Sequence, residues 1–144
     1  MTAPRPDGQG IVSALRKALA DAAAQPADVA HINAHATSTP HGDRAEALAL
    51  RTVFGKHTVP VTASKGAIGH LQGAAGGVEA VVTVLTVHHR LIPPTVGHED
   101  PDDDLGLDVV TGNARPFPEG GDLALSDSFG FGGHNAVLAF RATG

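Results

Sequence analysis

Two stretches of this chain run through the same order of events. Each has a short strand-like run, then a polar or glycine-rich loop, then a long apolar helix. The first is "ADVAHINA" followed, after a loop, by "GDRAEALALRTVFG"; the second is "TVPVTAS", then "KGAIGHLQG", then "AAGGVEAVVTVLTVHHR". In the first strand Ala30, Ile32 and Ala34 alternate with His31, Asn33 and His35, the two-residue period of a β-strand. In the second, Val59, Val61 and Ala63 do the same. Strand, loop, helix, repeated, predicts two parallel strands joined by right-handed crossovers. The chain is therefore expected to be α/β, a mixed sheet packed with helices.

The flanking segments extend this plan. Ile11, Leu15 and Leu19, with Ala18 and Ala22 beside them, mark an amphipathic helix before the first strand. In the next helix Asp43 reads as N-cap, with Glu46 three residues on to complete a capping box. Ala45, Leu48, Ala49, Thr52 and Val53 would form its buried face, and Gly55 its stop. The helix over "AAGGVEAVVTVLTVHHR" is apolar almost all round, which predicts burial. After Pro93 and Pro94 comes an acidic surface loop, "GHEDPDDDLG". "LDVVTG", "DLALSDS" and "HNAVLAF" read as short strands, the last two forming a hairpin-like pair around "FGFGG". No solenoid-period repeat interrupts the chain, so residues 1–144 are read as one domain.

Composition removes several function classes. There is no cysteine among the 144 residues, hence no disulfide framework, thiolate zinc site or cysteine nucleophile within them. A net charge of −5 argues against nucleic acid as a partner. No apolar run has the length of a membrane span and "MTAPRPDGQG" lacks a signal-peptide core, so a cytoplasmic location is expected. With no Trp or Tyr, the core must rest on Ala, Val, Leu and Ile.

The histidines carry the chemistry. His31 and His35 have H-x-x-x-H spacing, but Ile32 stands where the zinc motif needs its glutamate. In a strand, four residues span about 13 Å, too far to share one metal through imidazoles alone. His31 is read as a partly exposed strand residue. His35 and His70 differ, because each lies in the loop past the carboxyl end of its strand. That is where open α/β sheets bind ligands. Two convergent imidazoles can donate to one developing oxyanion, each donor worth roughly 3–4 kcal/mol in a dry site. Lys65, in the same loop as His70, would hold one ring or bias its protonation. Neither G-x-x-x-x-G-K-[ST] nor G-x-G-x-x-G is present, so Gly66, Gly69, Gly73, Gly76 and Gly77 read as close helix–sheet approach rather than a phosphate cradle. "FGFGG" suits either a tight turn or a mobile gate.

Three segments, "HINAHATSTPHGD", "SKGAIGHLQGAAGGVEA" and "SDSFGFGGHN", resemble the carboxyl-terminal half of β-ketoacyl-[acyl-carrier-protein] synthases of the KAS I/II type, which have the thiolase fold. The resemblance covers nearly the whole chain. It implies a decarboxylating Claisen condensation between an acyl thioester on a cysteine and malonyl carrier protein. It implies His35 and His70 as catalytic residues that hold the malonyl thioester oxygen, Lys65 as the lysine that orders them, Glu79 as its acidic partner and Phe131 as the gate of the acyl pocket. No cofactor is required. A structural monovalent or divalent cation is implied at Asn33, the Ala34 carbonyl, Glu79, Ser126 and Asp127, with Asp127 standing where the usual motif has Asn.

The resemblance further places the nucleophilic cysteine and the first strand of this half, expected to be central in the sheet, outside the chain. The expected partners are acyl carrier protein and either a second copy or a complementing amino-terminal half. Arg44, Arg51 and Lys56 are docking candidates, though an ordinary solvated helix face is the plainer reading. The alternatives to a condensing half-enzyme are a non-catalytic subunit resembling a chain-length factor and an inactive truncated product.

Overall fold

The computed structural model describes residues 5–99 and 105–142. Helix α1 (Gln9–Asp21) leads into strand β1 (Val29–Asn33), then helix α2 (Pro40–Phe54) and strand β2 (Pro60–Thr62). A one-turn helix α3 (Lys65–Ile68) precedes the long α4 (Ala75–His89). Short strands β3 (Leu91–Ile92), β4 (Asp108–Val109) and β5 (Arg115–Pro116) follow, and the chain ends in the hairpin β6 (Leu123–Phe129) and β7 (Asn135–Arg141).

The five-stranded sheet has the order β4-β2-β1-β6-β7. β1 is parallel to both β2 and β6, and β7 alone runs antiparallel. The hairpin around "FGFGG" therefore forms as read. β3 and β5 make a separate antiparallel pair that the sequence pattern did not suggest. Much of the acidic loop lies at residues 100–104, outside the described residues.

The place of the open edge differs from expectation. The centre of the sheet is filled, because β1 is paired on both sides. Among the described residues the edge strands are β4 and β7, and the burial of β7 alternates between half-buried and exposed. A strand added to this sheet would pair at one of these rims rather than at the centre.

Helices cover both faces. α1 and α2 pack on one side through Ile11, Val12, Leu15, Leu19, Ala45, Ala49, Leu50 and Phe54, against Ile32, Val61, Leu123 and Leu125. On the other side Val87 of α4 packs with Ala30, Ala124, Ile92, Val110 and Phe117. Because β1 lies between two helical layers, all five of its residues are buried. His31 is thus fully buried instead of partly exposed, with its Nε2 3.2 Å from Thr62 Oγ1.

Two helix expectations are corrected. α2 begins at Pro40 with Thr39 as N-cap, because proline is favoured in the first turn; Asp43 lies inside the helix and forms no capping box. Its buried face is rotated from the expected one, including Glu46, Ala47, Leu50 and Phe54 while Leu48 and Thr52 are exposed. α4 is not buried all round. It turns Glu79, Thr83, Thr86 and Val87 inward and leaves Val81 at 59 % exposure, with Val84 and Leu85 nearly as open. Thr83 and Thr86 satisfy their hydroxyls on the helix's own carbonyls of Glu79 and Val82, which makes a polar inner face tolerable. An apolar outer face needs a covering layer, and the described residues contain none.

Of the five glycines read as close-approach positions, Gly76 fits: an added Cβ would lie 3.2 Å from Ser128 Oγ on β6. At Gly66 the contact is with the Val96 carbonyl in the loop after β3, at 2.1 Å. Gly69, Gly73 and Gly77 meet nothing within 4 Å.

Candidate active site

The site forms where β1, β2 and β6 end side by side. Asn33 is in register with Thr62 of β2 and with Ser126 of β6. Everything downstream of those three residues converges on one region. His35 leaves β1, Ser64 and Lys65 leave β2, and Asp127 and Phe129 continue along β6. Asn33 ties the layers together. Its Nδ2 donates to the Glu79 carbonyl and to Thr83 Oγ1 on α4, and its Oδ1 accepts from Ser64 Oγ at 2.9 Å.

His35 and His70 meet as the loop argument requires. Their ring centroids are 5.8 Å apart with the planes at 89°. Phe129 lies edge-on to His35 on another side, again at 5.8 Å. Burial, then the charge of Lys65, then His70 push the His35 ring down to about 4, so it is neutral at pH 7. His70 is exposed, and its Nδ1 accepts the Gln72 backbone N–H at 3.1 Å. A neutral His70 must then carry its proton on Nε2, leaving that N–H free to donate outward.

Behind the histidines lies a buried charged cluster. The Lys65 ammonium donates to Glu79 Oε1, and both side chains are buried. Glu46, which the sequence pattern gave only a capping role, accepts the His35 N–H on Oε1 and the Ala36 N–H on Oε2, both at 2.8 Å. This clamp holds a strained turn: Ala36 has φ 30° and Ser38 φ 61°, conformations that cost a side-chain-bearing residue. Burial, opposed by those two N–H groups, pushes Glu46 up to about 7, with Asp43 adding to the rise. Asp127 is raised above the ordinary carboxylate range by burial first, then by Glu46 and Glu79.

Glu46 and Phe129 are the two site residues missed from the sequence. A signal for Glu46 exists: with Leu50 and Phe54 it makes a four-residue spacing that places it on the inner face. Phe131, expected as a gate, lies in the β6–β7 turn and is 76 % exposed; Gly132 and Gly133 beside it have positive φ. Arg44, Arg51 and Lys56 are on α2 and just beyond its end, with Arg51 and Lys56 exposed and Arg44 exposed too.

The side chains at the implied cation site divide into committed and orphaned groups. The Asn33 carboxamide already bonds Ser64, the Glu79 carbonyl and Thr83. Glu79 Oε2 and both Asp127 carboxylate oxygens are buried and without a hydrogen-bond partner. Orphaned anionic oxygens of this kind fit a cation. Among the described residues no three His, Asp or Glu side chains gather within reach of one metal, so its other ligands would be neutral oxygens. No helix among the described residues is long and apolar enough to cross a membrane.

Comparison with known proteins agrees with this geometry. The chain is 46% identical over 143 residues to 3-oxoacyl-[acyl-carrier-protein] synthase 2 of Synechocystis sp., covering 98% of this chain and 34% of that protein. It is 43% identical over 144 residues to the synthase of the same name in Staphylococcus aureus, covering 98% and 35%. Among solved structures, the ishigamide ketosynthase/chain length factor superposes with a TM-score of 0.92 at 36% identity, over 99% of this chain and 34% of that one. A type II polyketide ketosynthase solved with its acyl-carrier protein superposes at 0.93 with 32% identity, over 100% and 35%. The chain thus spans about a third of the length of the relatives it matches. The family described as "Beta-ketoacyl synthase, C-terminal domain" matches residues 1–99, and with the paired histidines, the buried lysine and the thiolase-like sheet this places the chain in that family.

Proposed function

We propose that this chain provides the decarboxylating half of a β-ketoacyl synthase active site, and that the nucleophilic thiol comes from a part of the enzyme outside these 144 residues. The observation that carries the reading is the edge-to-face pair of His35 and His70, with Lys65 and Glu79 buried behind it.

The chemistry follows from what such a pair can do. A malonyl thioester bound with its carbonyl oxygen between the two rings loses CO₂ when its carbon–carbon bond breaks. The electron pair moves into the thioester, and negative charge builds on that oxygen. His70 donates from Nε2 and His35 from its single ring N–H, stabilising the enolate. The enolate carbon then attacks the acyl thioester on the external cysteine, forming a carbon–carbon bond and expelling the thiolate. His35 suits this because a neutral ring donates without placing a full positive charge beside Lys65. Glu46 fixes the backbone from which His35 projects. Phe129 limits its ring, and Phe131, in the turn next to it, is the gate over the acyl chain. A structural cation would be held by Glu79 and Asp127, where it supplies compensating positive charge behind the site.

The natural substrates are acyl and malonyl thioesters of an acyl carrier protein, in fatty-acid or polyketide synthesis. The outward Val81, Val84 and Leu85 of α4 are the apolar surface on which the rest of the enzyme packs. The test is CO₂ release from malonyl carrier protein by the complete natural enzyme. His35→Ala and His70→Ala should each lower kcat by about 10²–10³-fold. Variants that both stay within threefold of wild type would refute the role.

A further inference from the structure

The buried carboxylates behind the histidines outnumber their counter-charge. Glu46, Glu79 and Asp127 are all buried, and the cation facing them among the described residues is Lys65. Lys65 is already committed to one oxygen of Glu79, so Glu79 and Asp127 bring two carboxylates to a place with no second cation facing them among the described residues. The partners are unevenly shared. Glu46 uses both oxygens on backbone N–H groups, and Glu79 uses Oε1 on Lys65. Glu79 Oε2 and both oxygens of Asp127, at 0 % exposure, have nothing.

A proton on Asp127 would remove one charge and supply one donor, but three orphaned oxygens would have to share it. A cation satisfies the orphaned oxygens and the charge together. Its ligand class is oxygen, with no cysteine in the chain and no cluster of three His, Asp or Glu side chains among the described residues to suit a transition metal. Such donors select hard cations, and affinity for a given charge rises with the number of anionic ligands.

We propose that the Asp127 carboxylate makes this cluster a site for a divalent rather than a monovalent cation, with calcium preferred over magnesium. Two carboxylates with three orphaned oxygens set the valence, because each further anionic ligand favours the more highly charged ion. Burial sets the metal, because magnesium gives up its water reluctantly and calcium accepts irregular sets of carboxylate and neutral oxygens.

The experiment uses the full natural protein, stripped with a chelator and returned to CaCl₂, MgCl₂ or KCl at matched ionic strength. Thermal unfolding and calorimetric titration are read for wild type and Asp127→Asn, with circular dichroism to confirm that the variant folds. Calcium should raise the melting temperature of wild type and bind at least about tenfold tighter than potassium. Asp127→Asn should lose at least about tenfold in calcium affinity while its potassium affinity holds or rises. The proposal is overturned if potassium matches calcium in wild type, if no cation moves the midpoint, or if Asp127→Asn keeps its calcium affinity. The contrast between calcium and potassium in wild type decides the matter even if the variant misfolds. Neither readout involves acyl transfer, so the result is independent of the condensation chemistry.

Discussion

Removing the titratable ring at position 31 should change how the protein responds to acid. His31 is fully buried in β1, its Nε2 faces Thr62 Oγ1, and its Nδ1 has no partner. Burial pushes the ring down to about 4 from 6.5. The folded protein therefore prefers the neutral ring more than the unfolded chain does. For a group shifted this way, stability is whole above pH 6.5. It falls as the unfolded chain takes up its proton, until the folded ring also protonates near pH 4. The separation of the two values corresponds to roughly 3 kcal/mol, a large part of the 5–15 kcal/mol that holds a typical domain. His31→Phe keeps an aromatic ring and cannot titrate. Thr62 keeps its hydrogen bond to the Pro93 carbonyl, so breaking the link between position 31 and Thr62 carries a cost that does not vary with pH. Urea unfolding of both proteins from about pH 7.5 to pH 4.5 should show the variant gaining on wild type by about 2–3 kcal/mol as pH falls. His35 titrates alike in both proteins and cancels in the difference. Parallel stability curves across that range would refute the argument.

Other perturbations have equally definite outcomes. Lys65→Met strands Glu79 without its counter-ion and should cost about 3–5 kcal/mol by chemical denaturation; adding Glu79→Gln should recover much of that, and equal loss in the two would contradict the pairing. Glu46→Gln keeps one acceptor oxygen for two N–H groups, so amide hydrogen exchange at His35 and Ala36 should quicken by about tenfold, the equivalent of a lost hydrogen bond of about 1–2 kcal/mol. Gly66→Ala would place a Cβ 2.1 Å from the Val96 carbonyl oxygen, a backbone atom that cannot move alone. It should destabilise the protein by about 1–3 kcal/mol, whereas Gly77→Ala, with open space in the interior of α4, should be neutral or stabilising by up to about 1 kcal/mol. Thermal melts of the two glycine variants give the comparison.

What the sequence alone determined was local or periodic. Alternation in "ADVAHINA" and four-residue spacing in α1 reflect the geometry of single elements, and repetition of the strand–loop–helix unit made parallel pairing the expected outcome. Two histidines in equivalent loops were enough to predict convergence, because adjacent parallel strands deliver their following loops to the same rim. Tertiary structure decided what depends on layers. His31 is buried because helices cover both faces of β1, which no alternation within β1 can express. α4 has apolar residues all round, so its own pattern holds no orientation; the placement of Asn33 and Lys65 drew Glu79 and Thr83 inward and left Val81 and Leu85 outside. Glu46 was legible only as a helix residue until the turn at His35 and Ala36 brought two unpaired N–H groups to its carboxylate. Asp127 was visible as one letter in a motif. Its lack of any partner is a property of the packed interior, because an unsatisfied charge is defined by what surrounds it.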